Sequence, residues 1–313
     1  MILQIGATFR SGGAAPVVLF CDSNIRLAQR ARTTGHGEAA ELPDEEVAAI
    51  AAREQTVYDS AAAIMTLSHM VGRSFAQDFG VREEKIHTIH AGPNLAAEVD
   101  PDALERARAE RTGHRPTVLF VGRQFERKGG DLLLRSFRIV REAVPDAQLI
   151  IVGPEGVAGV GSADGVVCLG FLDPDDPVDR ERLRSAYVEA DVFCLPTRFE
   201  PFGIVFLEAM FHGLPCIGPD AWAIPEIIED GETGFLSPSG DEAALAEKMV
   251  RLLRDPELAR RMGGAGSRRA RGYFTWPATI ERMNAVLARV GAEHGLANPD
   301  SDSGAGAAQR PPA

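Results

Sequence analysis

Short apolar runs alternate with longer stretches of mixed polarity along most of the chain. The apolar runs predict buried strands over residues 16–21, 62–68, 85–90, 117–122, 148–152, 166–171, 192–196 and 215–218. The stretches between them predict helices over residues 45–63, 75–79, 131–144, 180–189, 204–211, 243–253 and 277–290. This alternation predicts an α/β protein built on parallel, doubly wound sheets.

One stretch of the pattern, residues 197–210, points to a ligand. A tight loop containing Glu200, Pro201 and Gly203 follows the strand at 192–196, and a helix begins near Gly203. This order aims unpaired backbone N–H groups and the positive end of the helix dipole beyond the strand. A phosphate group is the ligand that such a position typically binds.

Two carboxylates flank that helix start. Glu200 lies in the loop, and Glu208 lies more than one turn into the helix. A carboxylate accepts two hydrogen bonds and therefore suits vicinal hydroxyl groups. A phosphate between two polyhydroxyl groups describes a nucleotide sugar. The plainer alternative makes Glu208 a solvated helix residue and Glu200 a capping residue.

A second strand-to-helix loop carries two cations. Arg123 follows the strand at 117–122, and Lys128 precedes the helix that starts at Asp131. Two cations beside a helix start form another anion-binding arrangement, on the same edge of the predicted sheet as Glu200. A solvated basic loop is the alternative, because Arg127 is also nearby.

Composition narrows the class of protein. The chain has 313 residues, of which 45% are apolar and 25% charged, which is ordinary for folded domains. The net charge of −12 argues against nucleic acid as a partner, because phosphate backbones select basic surfaces. No apolar run approaches the roughly 20 residues of a transmembrane segment, and residues 1–6 lack the basic flank of a signal peptide.

The spacing of the cysteines bears on the cellular compartment of the protein. Cys21, Cys168, Cys194 and Cys216 lie in apolar runs without a CxxC spacing. This placement predicts reduced, buried thiols in a cytoplasmic protein. Peripheral association with the inner membrane is a further possibility that the sequence leaves open.

The segment from Glu200 to Glu208 resembles the E-x7-E signature of glycosyltransferase family 4, the group 1 transferases with a GT-B fold. By this resemblance Glu200 and the amides after it hold the donor sugar and diphosphate, and Glu208 holds the ribose. The segment from Gly122 to Lys128 is similar to the family's GR…KG pattern, which implies that Arg123 and Lys128 bind the diphosphate. The implied donor-binding residues, besides Glu208, are Pro201, Phe202, Gly203, Ile204 and Gly122. The loops at residues 153–156 and 170–173, which contain Gly153 and Phe171, are candidates for holding the base on position alone.

The resemblance also implies a division into domains. Residues 1–113 form a partial N-terminal, acceptor-side Rossmann-like domain, and residues 114–276 form the domain that binds the nucleotide sugar. Residues 277–295 form a helix that crosses back to the first domain, and residues 296–313 are predicted to be a disordered tail. The first domain lacks the strand–GG–helix pattern with which family members open, so we expect it to be incomplete, either naturally or through a misplaced start codon.

The acceptor side is the less defined part of the site. Asp22 stands at a strand exit where many family members place a histidine, and it either faces the sugar or caps the strand. His69, His87 and His90 are interpreted as structural histidines.

The resemblance implies that a hexose moves from a nucleoside diphosphate sugar to an acceptor hydroxyl with retention of configuration. It implies no metal ion and no cofactor beyond the donor. Asp173, Asp175 and Asp176 lie in a proline-rich loop and are interpreted as a surface turn rather than a metal site. The nucleotide, the sugar and the acceptor, whether glycan, lipid or small molecule, stay open.

Other functions remain as alternatives. The chain could bind a nucleotide sugar without turnover, or it could be a GT-B sugar-nucleotide epimerase, for which no acid and base residues can be assigned. A Rossmann dehydrogenase is disfavoured, because no GxGxxG with a following acidic residue comes after a strand.

Overall fold

The chain folds into two α/β domains, each built on a parallel sheet. The computed structural model describes residues 1–9, 11, 13–32, 41–95, 100–109, 111, 113–154 and 164–296. The predicted tail from residue 297 onward and the end of the loop at 153–156 lie outside these residues. The α/β class with parallel sheets, predicted from the alternation of apolar runs, is confirmed.

The first sheet has the strand order β1-β2-β3-β4, and its neighbouring strands pair in parallel. Its strands are β1 (Ile2–Ile5), β2 (Val17–Cys21), β3 (Ala63–Thr66) and β4 (Ile86–Thr88). The helices of this domain are α1 (Ile25–Ala31), α2 (Asp44–Ser60) and α3 (His69–Phe79). The helix α3 ends where predicted, at Gly80, whose φ of 62° is the left-handed conformation that glycine adopts without strain.

The second sheet has the order β7-β6-β5-β8-β9-β10, again with parallel pairing. Its strands are β5 (Thr117–Val121), β6 (Gln148–Val152), β7 (Val166–Gly170), β8 (Val192–Cys194), β9 (Cys216–Pro219) and β10 (Gly234–Ser237). This is the dinucleotide-fold order, in which the chain runs outward from β5 and then reverses to β8. Ligands of such sheets bind at the carboxyl ends of the strands beside that reversal, here β5 and β8.

The remaining helices cover the second sheet and join the two domains. They are α4 (Pro101–Ala109), α5 (Gly130–Ala143), α6 (Pro177–Glu189), α7 (Ile204–Phe211), α8 (Ile224–Ile227), α9 (Glu242–Arg254), α10 (Pro256–Tyr273) and α11 (Trp276–Glu293). The last of these, α11, lies against the first domain. Trp276 donates its indole N–H to the carbonyl of Pro93 at 3.1 Å, and Arg282 donates to the carbonyl of Ile89 at 3.1 Å.

A second junction between the domains is polar. The carboxylate of Glu226, in α8, accepts the backbone N–H groups of His69 and Met70 at 2.8 and 2.7 Å. These are the first N–H groups of α3, which have no partner within their own helix. Ser68, which caps the same helix, donates its hydroxyl to the carbonyl of Pro201 at 2.7 Å. The start of α3 is therefore held by helix α8 and by the loop after β8, both in the second domain.

Several elements differ from the sequence-based prediction. The strand β10 and the helices α1 and α10 were not predicted from the sequence. The expectation of four buried thiols is wrong for Cys168, which is exposed, while the other three cysteines are buried. None of the helices within the described ranges is long and apolar enough to cross a bilayer.

Candidate functional site

Two glycines bring the ends of β5 and β6 together at the reversal of the sheet. The N–H of Gly122 donates to the carbonyl of Val152 at 2.9 Å. Gly153 has a φ of 119°, and a Cβ there would lie 2.6 Å from the carbonyl carbon and oxygen of Gly122. Only glycine combines that backbone conformation with so close an approach. At the contact between Gly122 and Gly153, the surface of the candidate site is therefore formed by backbone atoms without side chains.

Charged side chains tie the loop after β5 to the loop after β8. Arg127 donates a guanidinium N–H to the carbonyl of Phe199 at 2.7 Å, and the N–H of Arg198 donates to the carbonyl of Arg127 at 2.9 Å. Arg198 also makes two hydrogen bonds of 2.6 Å to the carboxylate of Asp131 at the start of α5. Paired bonds of this kind fix direction as well as distance, so the two predicted anion-binding loops form one unit.

Lys128 and Glu200, one from each loop, form an ion pair. Their side chains are only 14% and 9% exposed, so the pair is shielded from water. The aliphatic stem of Lys128 lies against Gly122, where an added Cβ would be 3.1 Å from Cγ of the lysine. The structure thus brings together Gly122, Lys128 and Glu200, which the sequence placed in one site.

The start of α7 lies beside this pair. Gly203 precedes the helix with a φ of 105° and provides no side-chain cap. A Cβ on Gly203 would lie 3.3 Å from Cγ of Glu200. The first N–H groups of the helix, beginning at the half-buried Ile204, have no partner within α7. Their positive partial charge adds to that of Lys128.

A cavity of about 210 Å³ opens next to the Gly122–Gly153 contact. The predicted site residues on its wall are Gly122, Arg123, Gly153, Phe171 and Glu208. The guanidinium of Arg123 stacks over the ring of Phe171, 4.8 Å from its centre, in a cation–π contact.

Glu208 is the one charged residue of α7 and is 8% exposed. Burial raises the pKa of its carboxyl from 4.5 to about 7, although hydrogen bonds to the carboxylate oppose the shift. One of these comes from the buried hydroxyl of Tyr187, at 3.0 Å, and another comes from the backbone of Asn94. The Glu208 carboxyl is thus held in place at the wall of the cavity.

The hydroxyl of Tyr187 is itself positioned by a buried histidine. The rings of Tyr187 and His212 stack with centres 4.6 Å apart and planes 11° from parallel. The Nδ1 of His212 lies 2.8 Å from the carbonyl oxygen of Glu208, one turn earlier. Burial lowers the pKa of His212 to about 4, so the ring is neutral at neutral pH.

The structure gives less direct support for a ligand-binding role of the remaining predicted site residues. The side chain of Phe202 is buried beside His90 and Phe274, so only its backbone is available to a ligand. Pro201 presents its carbonyl to Ser68. Asp22 is exposed after β2, and no hydrogen bond in the described part of the chain joins it to the cluster around Lys128.

The histidines have structural surroundings. His90 is buried with its Nδ1 3.1 Å from the carbonyl oxygen of Leu67, and burial lowers its pKa to about 4. His69 packs edge-on to His90 with ring centres 5.3 Å apart. The ring of His87 contacts the guanidinium of Arg289.

Sequence reasoning did not assign every residue that lines the cavity. Among those it missed, Asn94 and Leu95 come from the segment after β4. Asn94 follows Gly92 and Pro93 in a turn after the predicted strand at 85–90, which is a usable signal in the sequence. No local pattern marks Tyr187, because its partner lies 21 positions later on another helix.

Comparison with known proteins agrees with this architecture. The family model "Glycosyl transferases group 1" matches residues 115–255. A phosphatidyl-myo-inositol mannosyltransferase of Mycobacterium leprae is 41% identical over 178 residues, which are 56% of this chain and 46% of that protein. A GDP-mannose-dependent alpha-(1-6)-phosphatidylinositol monomannoside mannosyltransferase of Mycolicibacterium smegmatis is 31% identical over 289 residues, covering 88% of this chain and 75% of that protein.

A solved structure gives the same result for the fold. Sucrose-phosphate synthase of Thermosynechococcus elongatus superimposes with a TM-score of 0.71 at 25% identity, over 90% of this chain and 69% of that one. The chain thus spans about half the length of the first relative and about three quarters of the second. The assignment made from the E-x7-E resemblance is confirmed, and the chain belongs to the group 1 glycosyltransferases with a GT-B fold.

Proposed function

We propose that the protein transfers a sugar from a nucleoside diphosphate sugar to a hydroxyl group of an acceptor. The observation that carries this proposal is the convergence of Arg123, Lys128 and the uncapped start of α7 beside the cavity that Glu208 lines. Three sources of positive charge suit a diphosphate, and a buried carboxylate suits the ribose hydroxyls next to it.

The chemistry centres on the charge of the leaving group. As the bond between the sugar and the diphosphate breaks, negative charge accumulates on the diphosphate oxygens. Lys128 is already shielded from water, the guanidinium of Arg123 is held over Phe171, and the backbone N–H groups after Gly203 are fixed at the start of α7. Preorganised donors of this type contribute about 2.7–4 kcal/mol each in sites where they have been removed singly. Because these groups supply the positive charge, we expect transfer without added divalent ions.

Lys128 has a partner before the donor arrives. Its ammonium group pairs with Glu200, so a diphosphate would compete with that carboxylate for the lysine. Glu200 would then accept hydroxyl groups of the donor sugar. We propose that the transfer retains the configuration of the sugar, with a diphosphate oxygen taking the proton from the acceptor hydroxyl.

The relatives direct the choice of substrates to test. The two that we compared are named as mannosyltransferases of phosphatidylinositol and its mannoside, and one name specifies GDP-mannose. We therefore propose GDP-mannose as the first donor and inositol-containing lipids as the first acceptors.

Turnover of the purified chain tests the proposal. With GDP-mannose and a lipid acceptor we expect release of GDP and a mannosylated product, unchanged by EDTA. Glu200→Gln and Lys128→Ala should each abolish transfer and leave the fold intact, whereas Lys248→Ala and Glu232→Gln, outside the site, should retain it. The anomeric configuration of the product, read by NMR, decides between retention and inversion. Wild-type turnover in either site variant would refute the assigned roles.

A further inference from the structure

The first sheet has an open edge at β1. In the order β1-β2-β3-β4, no described strand pairs with the outer side of β1. The N–H groups of Ile2 and Gly6 donate to carbonyl groups on the β2 side, at 2.9 and 2.8 Å. Alternate residues of a paired strand direct their backbone N–H and C=O groups to opposite sides. Leu3 and Ile5 therefore direct theirs away from β2, toward the open edge.

The side chains along this edge are apolar. Leu3 is 47% exposed and Ile5 is 75% exposed. Twelve large apolar side chains are exposed in the described part of the chain, and four of them lie in residues 1–9. The same segment contains no charged side chain, although 25% of the chain is charged. Exposed apolar surface is thus concentrated beside backbone groups that have no strand partner among the described residues.

Natural proteins protect open edges against pairing with another chain. A lysine, a proline or a bulge on the edge strand is a usual means. The strand β1, with the sequence Ile-Leu-Gln-Ile, has no lysine and no proline, and its pairing with β2 shows no shift of register. Only its length of four residues limits what pairs with it. The edge is therefore able to accept another strand, over a small area.

The edge is complementary to itself. In an antiparallel pair, two opposite residues exchange both N–H···O=C bonds, and the next such pair lies two residues further along each strand. Leu3 and Ile5 have this spacing. When Leu3 of one copy lies opposite Ile5 of a second copy, a twofold axis passes beside Gln4, and Ile5 lies opposite Leu3. Every outward N–H and C=O group of these residues then has a partner, and their apolar side chains pair across the strands.

A second copy of the chain meets the requirements of this edge. It supplies N–H and C=O groups at the required spacing, apolar side chains where apolar surface is exposed, and no charge. Because the whole chain has a net charge of −12, two copies repel each other. An uncharged edge adds no like-charge contact to that repulsion. Most homo-oligomers are twofold dimers in which the same surface of both copies forms the interface.

We propose that the protein forms a twofold-symmetric dimer in which the β1 strands of two copies pair antiparallel. The two four-stranded sheets then become one continuous sheet. Stable interfaces bury roughly 1,200–2,000 Å², whereas this strand is four residues long. The association is therefore reversible and depends on concentration. The proposal is independent of the sugar donor and of the transfer reaction.

Sedimentation velocity, over about a hundredfold range of protein concentration, measures the association of the whole chain. We expect the mass in solution to rise from that of one chain to that of two. Ile5→Pro removes an N–H group that faces away from β2, and proline is tolerated on edge strands for that reason. The substitution takes one hydrogen bond per copy from the dimer and should raise its Kd roughly tenfold or more. At concentrations where the wild type is a monomer, the two proteins should have similar melting temperatures.

A charge at the edge should have the same effect. Ile5→Lys adds the kind of side chain that protects open edges and should weaken the dimer. Its matched control is Val178→Lys, on α6 in the second domain, where the replaced side chain is 68% exposed and lies outside the proposed interface. Val178→Lys should dimerise as the wild type does.

Disulfide cross-linking tests the register of the two strands, in a Cys168→Ser background that removes the exposed cysteine. Opposite residues of a hydrogen-bonded antiparallel pair have Cα atoms about 5.5 Å apart, a distance that a disulfide spans. An equimolar mixture of Leu3→Cys and Ile5→Cys should therefore cross-link, whereas either variant alone places its cysteines too far apart. A monomer at every concentration, a dimer that survives Ile5→Pro, or equal cross-linking of one variant alone would each overturn the proposal.

Discussion

Replacing Glu208 by glutamine should change how the stability of the protein depends on pH. Burial gives the Glu208 carboxyl a pKa of about 7 in the folded protein, against 4.5 for the free group. The folded state therefore binds a proton more tightly than the unfolded state does. The stability that follows from this is fully present below pH 4.5 and is lost as the pH rises through 7. A difference of this size corresponds to about 3 kcal/mol.

Glutamine is the matched replacement, because it keeps the size of the side chain and can still accept the hydrogen bond from Tyr187. Urea unfolding at a series of pH values between 5 and about 8 measures the free energy of unfolding of both proteins. We expect Glu208→Gln to gain roughly 3 kcal/mol relative to the wild type across this range. The buried His90 and His212, whose stabilising neutral forms are lost at low pH, contribute equally to both proteins and cancel in the difference.

Glu232→Gln is the control, since Glu232 is exposed and its replacement removes one negative charge from the surface. Its profile should run parallel to that of the wild type. If the Glu208→Gln profile also ran parallel to the wild-type profile, the carboxyl would not be buried and uncompensated as described. The proposed role of Glu208 in binding the ribose would then lose its structural basis.

Three other substitutions, one of them with a matched control, test the packing of the site and of the domains. Tyr187→Phe removes a hydrogen bond to the carboxylate of Glu208 and should weaken nucleotide binding about three- to tenfold in calorimetry. Gly153→Ala should lower the free energy of unfolding by at least about 2 kcal/mol, because its Cβ would lie 2.6 Å from backbone atoms. The control is Gly272→Ala, in α10 with open space around it, which should raise the free energy of unfolding by up to about 1 kcal/mol. A smaller loss of stability at position 153 than at position 272 would contradict the contact between Gly153 and Gly122. Glu226→Ala removes the acceptor for two N–H groups of α3 and should cost about 1–3 kcal/mol of stability. It should also let the two domains move apart, which solution scattering would measure. An unchanged scattering profile with unchanged stability would show that this junction does not hold the domains together.

The strand-to-helix units of the second domain were predictable from local pattern. The runs that end at Gly122 and at Pro196 are short, apolar and followed by helix formers, so strand, loop and helix could be placed within a few residues. The glycines and charges of the two loops stood close enough in sequence to indicate an anion site. For this reason the family resemblance and the geometry converge on the same residues.

Helix α10 was missed because its sequence argues against a helix. It contains Gly263, Gly264 and Gly266, and glycine disfavours helices in isolation. In the structure a Cβ at position 263 would lie 2.0 Å from the carbonyl oxygen of Gly213. The glycines therefore permit close packing against the end of α7, which only the tertiary structure reveals.

The contacts that the site residues make with one another could not be predicted from the sequence either. Lys128 and Glu200 are 72 positions apart, and Tyr187 reaches Glu208 from another helix. Pairings of this kind depend on how the loops and helices pack, for which a single sequence carries no signal.

Thermal unfolding in the presence of nucleotides tests the central claim most directly. The claim is that Arg123, Lys128 and Glu208 form a site for a nucleoside diphosphate. A nucleotide at 100 times its Kd should stabilise the protein by about 2.7 kcal/mol, which corresponds to a rise of roughly 5 °C in melting temperature. We expect such a rise with one of GDP, UDP and ADP for the wild type and for Lys248→Ala, and its loss in Lys128→Ala. No rise with any of the three nucleotides, or an equal rise in Lys128→Ala, would contradict the account.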